Sequence, residues 1–308
     1  MNQYQVYRLK IRLLSGNITP WHSDTLFGAF CWALAYLQGE KKLAEFLAEY
    51  QRGRAQVIFS NGFPGNLLPK PVFGLVFKQQ NLQTKAEKLA TIKAGKRRKK
   101  AAYLSMEEFR RYQQGELADI EVKEEPFIKY EVYHNQVDRE LGTTGGTGSL
   151  YSQTEWLVRS GEMSVYLKIS MGFEEEVRQA FEILGRIGLG KKRSLGKGCF
   201  EIKEFQPCPE LAAVSNANAF VLFSNCVPAQ GDPVDGYYKT IVKYGKTEAD
   251  LVSSPFKRPV FMLTPGSIFW ANGEVKPFYG RMLDNLTVDS RILHYGLGFS
   301  VPICLNRV

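Results

Sequence analysis

The stretch GLGKKRSLGKG, Gly188 to Gly198, places four glycines and four cations within eleven residues. Glycine lets a backbone approach a ligand closely and adopt positive φ. Lys191, Lys192, Arg193 and Lys197 would bring charge to an anion there. A nucleotide, an RNA strand and plain surface solubility each account for such a loop. A Walker A loop needs G-x-x-x-x-G-K-S/T running from a strand into a helix, so that the helix N-terminus meets the phosphates. Here Gly198 follows Gly196-Lys197, five residues separate Gly190 from Gly196, and the loop is predicted to leave a helix and enter a strand. That direction argues against a mononucleotide or dinucleotide cofactor, and no cofactor is expected. A cationic glycine loop can still cup a run of phosphates with amides and side chains.

Acid-base chemistry has few candidates, because the chain holds three histidines: His22, His134 and His294. His22 stands beside Ser23 and Asp24 at the start of a predicted helix, but three adjacent side chains point in different directions and do not build a catalytic triad. Ser23 or Asp24 reads better as the helix cap. A histidine among cations could deprotonate a ribose 2′-OH without a metal; nothing in the spacing requires it. Asp24, Asp138 and Asp235 are too scattered for a Mg²⁺ site, and no metal is expected. Aromatic residues interleave with cations in GYYKTIVKYGK (Tyr237, Tyr238, Lys239, Lys243, Tyr244, Lys246) and in SPFKRPV (Phe256, Lys257, Arg258). That pattern suits single-stranded RNA, gripped by stacking and charge, or equally a sheet with a basic exposed face.

The elements that would position these groups follow from periodicity. Leu9, Ile11 and Leu13 alternate with Arg8, Lys10 and Arg12, a half-buried strand with a cationic outer face. TLFGAFCWALAYLQ repeats at helical spacing from Thr25. AQVIFSNGFP and Pro69 to Phe77 read as short strands, and Val165, Leu167, Ile169 and Met171 mark another. Glu174 to Gly188 opens with acids and puts Val177, Ala180, Phe181 and Leu184 on one helical stripe, and CFEIKEF from Cys199 is again a strand. The order is β-α-β, β-α-β, a ferredoxin-like unit. Residues 78 to 160 interrupt it: a cationic run, Lys93 to Lys100, then strand-like flanks around a Gly/Thr-rich tip, read as a projecting hairpin with His134 at its base. After CPELAAVSNANA a second, strand-rich unit starts at Phe220, with one weak helix near Thr247 to Ser253 and a closing G-x-G turn and strand, HYGLGFSVPI. The predicted fold class is α+β, with two ferredoxin-like (RRM-like) domains, 1–207 and a degenerate 208–308.

Composition agrees with a globular protein that meets polyanions. The 308 residues are 44% apolar, enough for a sizeable core, and 40 basic against 31 acidic residues give a formal charge of +9. That balance favours nucleic acid. Five scattered cysteines without a CxxC pair suggest neither a zinc ribbon nor a disulfide framework. No run approaches the ~20 apolar residues of a membrane span, and a cytoplasmic setting is expected.

Taken together, TPWHSDTLFGAFCWAL, HNQVDRELGTTGGTGSLY, GLGKKRSLGKG, KYGK with PFKRPV, and GLGFSVP resemble the subunit that caps the crRNA 5′ end in type III-A CRISPR (Csm) effector complexes. The resemblance runs from Thr19 to Pro302. It implies a non-catalytic RAMP subunit that binds the repeat-derived 5′ tag of the guide and meets the large polymerase-like subunit and the backbone RAMP subunit. It also implies a β-hairpin thumb projecting toward target RNA. Carried onto this chain, Gly188, Gly190, Lys191, Lys192, Arg193, Ser194, Gly196, Lys197 and Gly198 would hold tag phosphates. Arg139, Thr143 and Thr144 would belong to the thumb, and His22, Ser23 and Asp24 to the RNA-facing end of the first helix. Lys243, Tyr244, Lys246, Phe256, Lys257 and Arg258 complete the expected RNA surface. One departure is the tip TTGGTGSLY, which lacks the acidic residue expected among its glycines. The alternative is a metal-independent precursor-processing endoribonuclease of the same superfamily, with His22 as its base.

Overall fold

The computed structural model describes residues 4–72, 89, 92–93, 101–115, 123–137, 140, 143, 150–211, 214–247, 256–289 and 291–305. Strand β1 (Tyr4–Leu13) buries Leu9, Ile11 and Leu13, as its alternation predicts. The opposite residues do not present free charge. Arg8 pairs with Glu204 at 2.8 Å, Lys10 with Glu162 at 3.0 Å and Arg12 with Glu201 at 2.8 Å, across the two neighbouring strands. The expected cationic face of β1 is therefore a neutralised lattice of cross-strand pairs.

Helix α1 (Ser23–Gln38) buries Leu26, Phe27, Phe30, Ala33 and Leu34, the i, i+3, i+4 stripe of a helix against a sheet. Its N-cap is His22 rather than Ser23 or Asp24, and no side chain caps it. The Ser23 amide is instead taken by Asn61 Oδ1 at 2.9 Å. After Gly39 a second helix, α2 (Glu40–Gln51), extends the helical layer and buries Phe46 and Tyr50; the sequence reading did not separate it. Strands β2 (Val57–Pro64), β7 (Glu162–Ser170) and β8 (Phe200–Pro207) join β1 in a sheet of order β2-β7-β1-β8, every neighbour antiparallel. Helix α4 (Glu174–Ile187) buries Val177, Ala180, Phe181 and Leu184, the predicted stripe.

Between β2 and β7 lie the short pair β3 (Leu68–Pro69) and β4 (Tyr103–Leu104), the helix α3 (Met106–Gln113) and the hairpin β5 (Phe127–Asn135) with β6 (Leu150–Val158). Helix α3, absent from the sequence reading, starts at a capping box in which Ser105 and Glu108 satisfy each other's amides at 3.2 and 2.6 Å. His134 pairs with Tyr151, which puts it toward the hairpin tip rather than its base. The cationic run from 94 to 100, the strand reading over 73–77 and the helix reading over 248–253 lie outside the described residues.

The second half builds a five-stranded sheet of order β10-β13-β9-β15-β14, from β9 (Ala219–Leu222), β10 (Gly236–Tyr237), β13 (Ile268–Trp270), β14 (Phe278–Gly280) and β15 (Leu297–Ile303). A two-stranded ribbon, β11 (Thr240–Lys243) with β12 (Val260–Leu263), flanks it. The two sheets share a core: Val221, Phe223, Phe299 and Val301 pack in one cluster with Leu9, Phe59 and Phe181. Where β2 shifts register after Phe59, the Phe59 amide donates to Tyr295 Oη at 2.9 Å, so the second half satisfies a donor of the first. Lys168 of β7 is a second link, donating to Pro277 O at 2.5 Å and Ser300 O at 2.6 Å. Among the described residues no helix is long and apolar enough to cross a membrane.

Candidate nucleic-acid interface

The glycine loop leaves α4 through Gly188 (φ 81°) and contains a left-handed Lys192 (φ 59°) and one 3₁₀ turn, Arg193–Leu195. Its close glycine approaches are internal. A Cβ on Gly188 would lie 2.3 Å from Lys197 O, and one on Gly198 2.2 Å from Leu189 O. These two glycines let the loop fold on itself, whereas Gly196 faces open space. The Lys191 amide is held by Thr19 Oγ1 at 3.0 Å. Lys191 and Ser194 are exposed, and Arg193 is half-buried.

The same loop is fastened to the hairpin. Lys197 Nζ reaches the two carboxylate oxygens of Glu155 on β6 at 2.7 and 2.9 Å, and Tyr130 Oη of β5 donates to the same carboxylate at 2.9 Å. The Glu155 side chain is fully buried. Burial alone would raise its pKa, but the hydrogen bonds from Lys197 and Tyr130 outweigh it and hold the carboxyl below its ordinary range. Lys192 Nζ lies 5.3 Å from the centre of the Tyr151 ring, without a hydrogen-bond partner among the described residues, and His134 stacks on the same ring at 5.3 Å. Backbone bonds between Asn17 and Trp156, at 3.0 and 2.8 Å, complete the junction.

A second cluster forms at the start of α1 from segments far apart in sequence. Lys243 Nζ bonds the Asp24 carboxylate oxygens at 2.5 Å, with both side chains largely buried. Burial works against the Asp24 charge, and Lys243 and His294 more than compensate, so its pKa is lowered. His22 is pulled down to about 4, first by burial and then by Lys243. His294 is also pulled to about 4 by burial, with Asp24 opposing; Lys257 is lowered by burial and, less, by Lys243. Both imidazoles are thus neutral at pH 7. KYGK and PFKRP meet here through a Lys246–Phe256 bridge, with the Lys246 ammonium 4.5 Å from the Phe256 ring centre and the Lys257 amide on Gly245 O at 3.0 Å. Tyr244, Phe256 and Arg258 are exposed.

The structure thus gathers the sequence-predicted residues into two groups. Around the glycine loop stand residues 188–198. At the head of α1 stand His22, Ser23, Asp24, Lys243, Lys246 and Lys257. Two cations expected to face phosphate, Lys197 and Lys243, instead face buried carboxylates, and Ser23 is fully buried. Thr143 is exposed, while Arg139 and Thr144 lie outside the described residues. Among those residues no group of three His, Cys, Asp or Glu could hold a metal ion.

Sequence reasoning missed a cleft of about 670 Å³ below His22. Its lining includes Trp21, Tyr103, Phe127, Trp156 and Tyr237, with Lys70, Lys129 and Lys239 as charges. The alternation that places Phe127 and Lys129 on one face of β5 was its one visible signal. The segments that complete it are distant in the chain.

The described residues thus form a four-stranded and a five-stranded antiparallel sheet, helices, a two-stranded hairpin and a cationic glycine loop. More particularly, the chain is similar to "CRISPR system Cms protein Csm4" of Thermococcus onnurineus (strain NA1), 25% identical over 186 residues. That match spans 59% of this chain and 62% of the relative's length. A chain in the crystal structure of the Csm1-Csm4 cassette in complex with pppApA has the same fold over 99% of this chain and 100% of its own, with a TM-score of 0.63 and 20% identity. A chain of the Csm3-Csm4 subcomplex of the type III-A CRISPR-Cas interference complex agrees over 97% and 99%, with a TM-score of 0.64 and 17% identity. No family model matches the sequence.

Proposed function

We infer that this chain is a non-catalytic subunit of a type III-A CRISPR effector complex that holds the repeat-derived 5′ tag of the crRNA. In this reading residues 1–207 and 208–308 are two ferredoxin-like domains, the second degenerate. The order β2-β7-β1-β8 with two covering helices supports the first of them. The observation that carries the functional reading is the junction of the glycine loop with the hairpin. Lys197, Glu155 and Tyr130 fix the loop so that the side chains of Lys191, Lys192, Arg193 and Ser194 form the phosphate-facing surface beside a thumb. Lys197 and Lys243 act as struts, while Tyr244, Lys246, Phe256, Lys257 and Arg258 supply stacking surface and charge at the head of α1. This reading also assigns contact with target RNA to Arg139, Thr143 and Thr144.

The matched chains come from Csm1-Csm4 and Csm3-Csm4 assemblies. This supports two protein partners in a cytoplasmic complex: the large polymerase-like subunit, which this chain anchors at the foot, and the backbone RAMP subunit. Contact with RNA is tested by expressing the full chain with its repeat-containing guide precursor and sequencing the RNA that copurifies. The expected result is enrichment of fragments beginning with the repeat-derived tag. Fragments without that end bias would contradict the reading.

A further inference from the structure

Among the side chains assigned to phosphate on the glycine loop, Lys192 is placed unlike the rest. Its backbone is left-handed, at φ 59°, a conformation that residues other than glycine seldom adopt. The turn keeps it there, because Lys192 O accepts from the Leu195 amide at 2.9 Å and from the Lys197 amide at 3.3 Å. The side chain reaches the hairpin, where its buried Nζ lies 5.3 Å from the centre of the Tyr151 ring and has no hydrogen-bond partner among the described residues. An ammonium carries three donors, and burying it against a ring leaves all of them unused. The cation–π attraction offsets only part of that cost.

The hairpin is held differently at its two ends. At the root, Glu155 takes Lys197 and Tyr130, two backbone bonds tie Asn17 to Trp156, and the Gly198 amide donates to Gly16 O at 3.0 Å. A Cβ on Gly16 would lie 2.2 Å from both Glu155 Oε2 and Tyr130 Oη, so the segment after β1 is packed tightly against that root. Nearer the tip the loop meets the hairpin through Lys192 on Tyr151, and His134 stacks on the same ring. Tyr151 is 46% exposed, which gives the lysine a short path from the ring to the surface.

We propose that Tyr151 is an autoinhibitory contact for the glycine loop: it holds Lys192 away from phosphate, and an arriving RNA backbone draws the ammonium off the ring by supplying the acceptors that the ring lacks. The proposal rests on the RNA-binding reading and adds regulation to it. The direction follows from the chemistry, since a charge-assisted hydrogen bond to phosphate outweighs a cation–π contact at an exposed ring. The movement is confined to side-chain torsions, because the Lys192 carbonyl is fixed by two amides and Lys197 by Glu155. Linkage makes the effect reciprocal: a hairpin that keeps Lys192 lowers the affinity of the loop for RNA, and a loop that has taken phosphate loosens its hold on Tyr151.

The test follows Lys192 by NMR in the full chain labelled with carbon-13 at lysine Cε, before and after addition of tag-bearing single-stranded RNA. The Lys192 resonance, identified by its loss in Lys192→Ala, should be displaced by the Tyr151 ring current, and RNA should move it toward the position it takes in Tyr151→Leu. Tyr151→Leu keeps an apolar side chain but no ring, and it should bind the RNA about two- to fivefold more tightly than wild type. Adding Lys192→Ala should abolish that gain. A Lys192 resonance left in place by RNA that does bind would overturn the autoinhibitory contact and leave the RNA-binding reading standing. Weaker binding by Tyr151→Leu would overturn it too, by making the ring itself an RNA contact. No binding of the RNA by wild type would overturn both.

Discussion

Removing Lys197 should expose how much the glycine loop depends on the hairpin. Lys197→Met leaves the fully buried Glu155 carboxylate with Tyr130 Oη as its remaining hydrogen-bond partner among the described residues, and breaking a buried pair from one side costs about 3–5 kcal/mol. Glu155→Gln is gentler, because Lys197 is 25% exposed and can turn to water while the amide keeps the shape, so about 1–2 kcal/mol is expected. The double variant should cost less than the sum of the singles, since the uncompensated charge has gone. The pH dependence supplies an independent sign. In the wild type the folded Glu155 pKa is depressed, so its contribution is present above the ordinary carboxylate pKa and is lost on acidification. In Lys197→Met burial dominates and raises the folded pKa, so the variant should gain stability relative to wild type as pH falls from 7 toward 4. Urea denaturation of the full chain across that range measures both effects. A loss under about 1 kcal/mol for Lys197→Met, with a pH slope equal to that of wild type, would refute the strut.

Three further outcomes rest on the same structure. Lys168 is buried without a carboxylate partner among the described residues, and burial pulls its pKa to about 7; the gap from 10.5 corresponds to about 5 kcal/mol. The unfolded chain then binds more protons between pH 7 and 10.5, so stability relative to Lys168→Met should rise with pH across that window and stay level below it. Gly198→Ala should cost about 3 kcal/mol or more, because φ is 72° and the new Cβ would lie 2.2 Å from Leu189 O. Gly196→Ala, with φ 76° and open space, should cost only about 1 kcal/mol; equal midpoints for the two in denaturation would remove the internal-closure account of the loop. Incubation of the chain with repeat RNA in EDTA should leave the RNA intact, and a cut abolished by His22→Ala would install the nuclease reading instead.

The sequence showed some of this architecture plainly. β1, α1, α4 and β8 were legible because each carries one clean period and one buried face, and the direction of the glycine loop followed from them. Helix α3 carried a readable signal, the S-x-x-E capping box at Ser105 and Glu108, that periodicity alone passes over, and α2 hid behind the Gly39 break. The electrostatic roles were not legible. Lys197 finds Glu155 42 residues away and Lys243 finds Asp24 219 residues away, so local spacing presented both lysines as free cations. The β1 cations are likewise cancelled only when β7 and β8 pair beside them. The cleft is assembled from segments around residues 20, 62, 70, 102, 128, 156 and 238, and no periodicity announces a surface built that way.

The central claim is that the loop from Gly188 to Gly198 grips RNA backbone. Its most direct test is the salt dependence of tag-RNA affinity for the wild type and for the triple variant Lys191→Ala, Lys192→Ala, Arg193→Ala. Every phosphate of a single strand that the variant no longer neutralises should flatten the log–log slope by about 0.7, with weaker binding at every salt concentration. An unchanged affinity and slope would contradict the account.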